Sequence, residues 1–329
     1  MSGSARTLPG AGAAQTDADL HVVEAPAGDP TGWLAAEAAM VLDHVRLQGA
    51  VVVRGLRISS PADLAAARGA LGHAPHRATE KFAPREGRAG GVVTPISWPE
   101  DRELCPSQEG SSSLAPPTLV LTACVWLPSA GPQHHVSDMR RLPEVLPRAL
   151  LDKVREHGWV LTRTFHDGFG MSWQEAFAVA TREELARVLA REEIEATWLP
   201  GGALRITRRR PGFVAHPQTG EACWFNDLAF FNTGSLEPTE REVMTRAFGD
   251  DLPIQTAFGD GRPLSDGELA GLHAGYTSVR RVVTWQEGDV VVADNLLSAQ
   301  GRPPLVGCPQ LLVAIADNPG ADPLIATPT

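Results

Sequence analysis

A series of short strand-like segments in the second half of the chain constrains its fold most strongly. Each segment is apolar or alternating and is bounded by turns rich in glycine, proline or aspartate. The segments are ALRITRRR, EACWFND, VRRVVTW, DVVVADN and QLLVAIA. Many short strands separated by such turns favour a β-sandwich or jelly roll with flanking helices over a doubly wound parallel sheet. We therefore predict a mostly β fold.

Helices are predicted mainly in the first two thirds of the chain. The segment 29–49 has the apolar spacing of a helix, and the segment 50–56 that follows it is typical of a buried strand. Residues 141–158 predict another helix. Ser60 before Pro61 marks a helix N-terminus. Two capping boxes mark further helices, at Ser172 with Glu175 and at Thr181 with Glu184.

The domain organisation predicted from composition is simple. Residues 1–20 are rich in glycine, alanine and small polar residues, which predicts a disordered N-terminal tail. Residues 21–329 are expected to form a single domain. The stretch 85–117 contains few periodic signals, and an irregular stretch of that length usually carries function. We expect the site there.

Charge and cysteine content exclude several classes of protein. Lys and Arg total 29 against 39 Asp and Glu, a net charge of -10, which argues against a nucleic acid or an anionic membrane as partner. No apolar stretch reaches membrane-spanning length, and the N-terminus lacks the apolar core of a secretory signal. The four cysteines lie far apart, which fits neither a zinc site nor a disulfide framework. These features predict a cytoplasmic protein.

Several motifs, in order, resemble one known family. They include GAVVVRGL, SQEGSSS, HPQTGEACWFND, WQEGDVVVADNLLSAQGR and LLVAIA, spread from about residue 49 to about residue 318. They are similar to the TauD/TfdA (taurine dioxygenase-like) family of Fe(II)- and 2-oxoglutarate-dependent oxygenases, and most of all to the branch that resembles the syringomycin-pathway hydroxylase of specialised metabolism. The resemblance implies a double-stranded β-helix, the jelly roll of the clavaminate synthase/TauD type.

The resemblance also implies an iron site, and this chain departs from it. The family holds Fe(II) with a His-x-Asp/Glu pair and a later histidine. The pair falls at Ser107, Gln108 and Glu109, so only Glu109 is retained. The later histidine falls at Gln300. Serine and glutamine are neutral oxygen donors that bind Fe(II) weakly.

The family positions for 2-oxoglutarate are changed as well. The arginine that grips its distal carboxylate falls in a segment that contains Pro309 and Gln310, and a threonine that contacts it aligns with His134. Arg302 matches a different family position. These losses predict that the protein uses no cofactor and holds no metal, with Fe(II) the metal to expect if one binds.

Three functions remain open from the sequence. The first is a metal-independent, redox-neutral enzyme in which Glu109 and His134 form a general acid/base pair, the carboxylate keeping the imidazolium available near neutral pH. Elimination, isomerisation or cyclisation of an amino-acid-derived or carrier-tethered intermediate suits such a pair. The second is an oxygenase whose metal ligands are relocated to Glu109 with His134, His135 or Gln300. The third is a non-catalytic protein that binds a pathway metabolite or a partner enzyme.

Other residues have a functional and a structural interpretation. Trp224, Asn226 and Arg302 are possible substrate contacts, although the tryptophan ring is more typical of packing. Glu109 can equally serve to hold its loop by pairing with a neighbouring donor. Ser107 and Gln300 can hydrogen-bond to each other. The basic run at 205–211 is typical of a solvated strand end, or else it receives an acidic carrier protein.

Overall fold

The computed structural model describes residues 18–128, 133–305, 307 and 309–319, and it contains strands throughout this range. The strands are β1 (Ala18–Asp19), β2 (Val22–Glu24), β3 (Ala50–Arg54), β4 (Ala74–Pro75), β5 (Val92–Val93), β6 (Leu104–Ser107), β7 (Leu119–Trp126), β8 (Gln133–Asp138), β9 (Trp159–Phe165), β10 (Glu195–Trp198), β11 (Leu204–Arg210), β12 (Phe213–Ala215), β13 (Ala222–Trp224), β14 (Ile254–Phe258), β15 (Arg280–Thr284), β16 (Val290–Asp294), β17 (Ser298–Arg302) and β18 (Gln310–Asp317).

The helices flank these strands. They are α1 (Pro30–Ala36), α2 (Ala38–Gln48), α3 (Pro61–Ala70), α4 (Leu142–Val145), α5 (Arg148–His157), α6 (Trp173–Phe177), α7 (Arg182–Arg191), α8 (Pro238–Phe248) and α9 (Asp266–Ser278). None of the helices in the described residues combines the length and the apolarity that crossing a bilayer requires.

Two sheets carry the fold. The larger has the strand order β2-β3-β16-β7-β18-β4, with β5 beside β18. The smaller has the order β1-β15-β8-β17-β6. In the smaller sheet Ser107 of β6 lies directly opposite Gln300 of β17. Together with the flanking helices, the two sheets confirm the predicted mostly β jelly-roll architecture.

Each central strand of the larger sheet is buried on both faces. In β7, Leu121 and Ala123 pack in an apolar cluster with helices α1, α2 and α3 on the outer face. The alternate residue Cys124 packs on the inner face, where it meets Val136 of the smaller sheet and Trp285, which follows β15. The continuous apolar sequence of β7 follows from this double burial.

The inner space between the sheets divides into two parts. At one part an apolar cluster joins β3, β7 and β16 to β8 and β15. At the other part the sheets separate around a cavity, and its walls include residues of β6, β7, β8, β17 and β18. The fold therefore places the cavity on the inner faces of both sheets.

A third sheet, β10-β11-β9-β14, contains the basic run. Alternation along β11 buries Arg208 and Arg210 and exposes Arg209. Arg208 and Arg163 both form ion pairs with the buried carboxylate of Glu80. Two of the four arginines in the basic run are therefore buried, and Arg208 is paired with a carboxylate inside the protein.

The N-termini of helices were predicted correctly at three positions, whereas two segments predicted as single helices are each interrupted. The Ser60 cap and both capping boxes are confirmed by side-chain hydrogen bonds to the backbone of the following turn. The helix predicted over 29–49 is two helices that meet at Glu37. The helix predicted over 141–158 is interrupted at Leu146, which is extended because Pro147 follows it.

Residues 18–20, which the sequence predicted to belong to a disordered tail, are ordered. Ala18 and Asp19 form β1, which pairs in parallel with β15. Leu20 is buried between the sheets. Residues 1–17 lie outside the described residues, as does Cys308, which directly precedes Pro309 in the changed 2-oxoglutarate segment.

Candidate functional site

A cavity of about 750 Å³ lies between the two sheets and contains most of the residues singled out from the sequence. Ser107, Glu109, His134 and Gln300 all line it. So do Arg302, Pro309 and Gln310. Residues from 85 to 109 of the irregular stretch form one wall of the cavity, and that this stretch carries the functional site stays a prediction.

Gln300 lies at the centre of a hydrogen-bond network that joins the two sheets. Its Oε1 accepts from Oγ1 of Thr122 on β7 over 3.1 Å. The same oxygen accepts from Nε2 of His134 on β8 over 2.9 Å. The predicted hydrogen bond from Gln300 to Ser107 is not formed, although the two residues are cross-strand neighbours. Thr122 was not predicted to belong to the site, because a threonine within an apolar strand is more typical of a residue that packs in the core.

His134 is neutral near pH 7. Its desolvation lowers the pKa to about 4, and the hydrogen bond to Gln300 only partly offsets that effect. The ring also packs against Trp285, with 5.6 Å between the ring centroids. The hydrogen-bonding partner of His134 is therefore an amide and not the carboxylate of Glu109. The expectation of an imidazolium held near neutral pH by that carboxylate is wrong.

Glu109 is held by an arginine that the sequence analysis missed. Nη2 of Arg85 donates to Oε1 of Glu109 over 2.5 Å. The two side chains are 19% and 31% exposed, so both remain open to the cavity. The pair agrees with the structural interpretation of Glu109 and also leaves its carboxylate within reach of a ligand. Arg85 lies 24 residues before its partner, in a segment without periodicity.

The backbone around Glu109 is fixed by Asn295. Its Oδ1 accepts from the N–H of Glu109 over 2.9 Å. Its Nδ2 donates to the carbonyl oxygens of Glu109 and Pro117, over 2.8 and 2.9 Å. Asn295 belongs to the turn between β16 and β17, so that turn positions Glu109 and precedes Gln300 by five residues.

A buried carboxylate, Asp227, lies beneath the same loop. It accepts from Oγ of Ser111 over 2.6 Å and from the N–H of Gln108 over 3.2 Å. Burial raises the pKa of Asp227 to about 7, and the negative charge of Glu109 adds to the shift. No sequence signal distinguished Asp227 from the other residues of its segment.

The proposed substrate contacts Trp224 and Asn226 do not line the cavity. Trp224 is fully buried in an apolar cluster, and its Nε1 donates to the hydroxyl of Tyr276. Asn226 is buried, and its Nδ2 donates to the carbonyl of Gly212. Both side chains are used for packing and for holding a loop.

Arg302 borders the cavity but serves mainly to hold its wall. Nη1 donates to the carbonyl oxygens of Arg102 and Pro303. Nη2 donates to those of Trp98 and Pro99. The guanidinium therefore fixes the loop that precedes β6.

Comparisons of the whole chain identify its relatives. The family described as "Taurine catabolism dioxygenase TauD, TfdA family" matches residues 10–310. The dapdiamide synthesis protein DdaC of Enterobacter agglomerans is 27% identical over 271 residues, which cover 82% of this chain and 82% of that protein. A clavaminate synthase-like protein of Arabidopsis thaliana is 22% identical over 268 residues and 78% of each chain.

Solved structures show the same fold at low sequence identity. A candidate alpha-ketoglutarate-dependent taurine dioxygenase from Burkholderia xenovorans has a TM-score of 0.50 and 15% identity, covering 95% of this chain and 96% of its own. The protein AAD-2, solved with Mn(II) and N-oxalylglycine, also has a TM-score of 0.50 and 15% identity, covering 94% of this chain and 97% of its own. Both confirm the predicted TauD-type fold.

The family match contradicts the expectation that the protein uses no cofactor. The matching family is described as one of dioxygenases, and it is the family for which the sequence resemblance implies Fe(II) and 2-oxoglutarate. The prediction that the protein uses no cofactor is therefore wrong, because it conflicts with membership of this family.

The residues at the family positions do not match the family's metal-binding set. Glu109 is paired with Arg85, and the amide oxygen of Gln300 already accepts two hydrogen bonds. The third position offers the hydroxyl of Ser107. Among the described residues, no three or more His, Cys, Asp or Glu side chains are grouped so that they could hold a metal ion. In this arrangement the three side chains do not fit the facial site.

Proposed function

The chain belongs to the TauD/TfdA family, and we propose that it is an enzyme that converts a small, amino-acid-derived molecule of a natural-product pathway. The observation that carries the proposal is the cavity of about 750 Å³ between the sheets. It lies within the usual size range of small-molecule sites and combines apolar walls with a few polar groups. The likeness to a dapdiamide synthesis protein supports the pathway class.

The chemistry that we propose is a redox-neutral proton transfer to Glu109. The carboxylate of Glu109, held in place by Arg85 and open to the cavity, can accept a proton from a substrate carbon, oxygen or nitrogen. His134 then has a different role from the one first expected. As a neutral imidazole it orients the amide of Gln300 by donating to its oxygen. In an isomerisation or cyclisation the protonated Glu109 returns the proton to another substrate atom, and in an elimination it gives the proton to the departing hydroxyl, which leaves as water.

The proposal includes a substrate tethered to a carrier protein. The cavity wall contains exposed residues of the irregular stretch, such as Ser97 and Glu100. An opening at the protein surface can admit a long arm as well as a free molecule. Incubation with the free and the tethered form of one intermediate compares the two directly.

The test is an incubation with the intermediates of the producing pathway, with and without oxygen, followed by mass spectrometry. We expect a product that is an isomer of its substrate or has lost water, in equal yield in both atmospheres.

Glu109→Gln should abolish turnover while the folded structure is retained. Glu86→Gln, which changes an exposed carboxylate in the neighbouring loop, is the matched control and should be fully active. A product that contains an added oxygen atom would refute the proposal.

A second candidate function is oxygenation, the activity of the family. The observation in its favour is that Ser107, Glu109 and Gln300 line one cavity despite their changed identities. An anaerobic titration with Fe(II) and 2-oxoglutarate, followed by visible absorption, tests it. A saturable charge-transfer band would favour this candidate, because it requires that the protein bind both components. Its absence at millimolar concentrations would favour the redox-neutral reaction.

A further inference from the structure

Arg85 has hydrogen-bonding capacity that the protein does not use. Its guanidinium lines the cavity, and its side chain is 19% exposed. Nη2 donates to Glu109, whereas Nε and Nη1 have no acceptor among the described residues. A guanidinium presents five N–H donors in a fixed plane that matches the two oxygens of a carboxylate. The unused edge of Arg85 is therefore a ready position for an anion.

Gln300 adds a second unused donor to the same cavity. Its Oε1 is occupied by hydrogen bonds from Thr122 and His134. The Nε2 group has no acceptor among the described residues, so its two hydrogens remain for a ligand. The network thus fixes the orientation of the amide and directs its donor group, not its acceptor, to the ligand.

The charged residues that line the cavity leave a small positive excess, because Arg85, Arg88 and Arg302 outnumber Glu100 and Glu109. Glu109 is neutralised by Arg85. Arg302 borders the cavity as a further positive charge, although its hydrogens are engaged by backbone carbonyls. The remaining wall includes large apolar side chains, at Ile96, Trp98, Val120, Trp285 and Leu312.

The structure assigns to Arg85 the binding of a carboxylate group, carried by a small molecule whose apolar body lies against the walls near Trp98 and Trp285. This inference rests on the proposed function and names its substrate class as a carboxylic acid. 2-Oxoglutarate would present the same chemical group to Arg85. The experiment therefore includes both sources of the carboxylate.

Calorimetric titration of the full-length protein tests the assignment with three probes. N-acetyl-L-leucine and its primary amide share an apolar body and differ only in the carboxylate, and 2-oxoglutarate represents the co-substrate. We expect the wild type to bind the acid at least about tenfold more tightly than the amide, because a hydrogen bond to a charged group is worth roughly 1.5 to 3 kcal/mol. Arg85→Met should remove that preference. Arg85→Lys should keep part of it.

Two further variants control for folding. Arg148→Met removes an arginine whose side chain is 91% exposed, and its titrations should match those of the wild type. Glu109→Gln releases Arg85 from its partner without removing it, and it should bind the acid several-fold more tightly. This variant keeps the assignment testable if Arg85→Met unfolds.

The outcomes separate this assignment from the proposed function. An acid preference that persists in Arg85→Met, or a wild type without any preference, would overturn the role of Arg85 and leave the proton transfer by Glu109 intact. Arg85-dependent binding of N-acetyl-L-leucine supports the assignment even if no pathway intermediate is converted. Arg85-dependent binding of 2-oxoglutarate alone would uphold the carboxylate site and assign it to the co-substrate.

Discussion

Nε2 of His134 donates to Oε1 of Gln300 over 2.9 Å, across neighbouring strands of the smaller sheet. An amide can orient an imidazole, but it carries no charge that would stabilise the imidazolium. Desolvation therefore dominates, and the pKa of His134 falls to about 4. Burial therefore keeps His134 neutral, and the amide of Gln300 offsets that effect only in part.

Gln300→Glu should raise the pKa of His134 by about 1 to 3 units, because an opposite charge at hydrogen-bond distance favours the imidazolium. Titration of the imidazole resonances by NMR measures the change. Gln310→Glu is the matched control, since it adds a carboxylate to the same cavity wall at a residue that does not bond to His134. An unchanged pKa in Gln300→Glu would show that the two residues are not in contact.

The stability of the protein should fall on the acid side partly because of His134. The folded pKa of about 4 lies below the ordinary value of 6.5. The unfolded chain binds the proton more readily, so this contribution is fully present above pH 6.5 and is lost as the pH falls towards 4. Between pH 6.5 and pH 4 we expect His134→Gln to lose less stability than the wild type. Urea denaturation at several pH values measures the difference. An identical pH profile in wild type and variant would contradict the burial of a neutral imidazole.

Asp227 should act in the opposite direction. Burial raises its folded pKa to about 7 from the ordinary 3.8. The stability that protonated Asp227 contributes is present below pH 3.8 and is lost as the pH rises through 7. Asp227→Asn should therefore gain stability relative to the wild type by up to about 1 kcal/mol for each pH unit in that window. Denaturation at pH 5 and pH 8 measures the gain, and a difference that does not depend on pH would refute it.

Asn295→Ala should destabilise the protein by about 2 to 4 kcal/mol, since three hydrogen bonds to a buried side chain are lost together. It should also weaken ligand binding, because the backbone of Glu109 loses its support. Asn318→Ala, which changes a half-buried asparagine beyond β18, is the control. A variant with normal stability and unchanged binding would show that the turn does not hold the loop.

Glu80→Gln should be among the most destabilising single changes, at about 3 to 5 kcal/mol. It leaves Arg163 and Arg208 buried without their shared carboxylate. The free energy of unfolding by urea measures the effect. Glu195→Gln also removes an arginine partner, but that pair is exposed, so its effect should stay below about 1 kcal/mol.

Local chemistry was predictable from the sequence where it depends on near neighbours. The caps at Ser60, Ser172 and Thr181 each need only a side chain and a backbone N–H three residues later. The break at Glu37 was not predictable in this way, because the apolar spacing continues through it. Tertiary packing of α1 and α2 overrides that local pattern.

The sequence predicted which positions line the cavity, but it did not predict the hydrogen-bond partners of their side chains. The resemblance to a family placed Ser107 and Gln300 together, and the structure pairs them. The partners of Glu109 and His134 depend on distant segments, at Arg85 and at Gln300, and no spacing rule links them. Trp224 and Asn226 failed as cavity residues because sequence alone does not show which way a short strand faces.

The division of the inner space into a packed part and an open part has an evolutionary consequence. Residues of the packed part, such as Val52, Val136 and Val291, hold the sheets together. Residues that line the open part, such as Ser107 and Glu109, belong to none of the apolar clusters that pack the sheets together. Selection for folding thus acts mainly on one half of the interior. The residues that line the cavity can therefore be substituted more freely, and a lineage can change the reaction at this site without losing the fold.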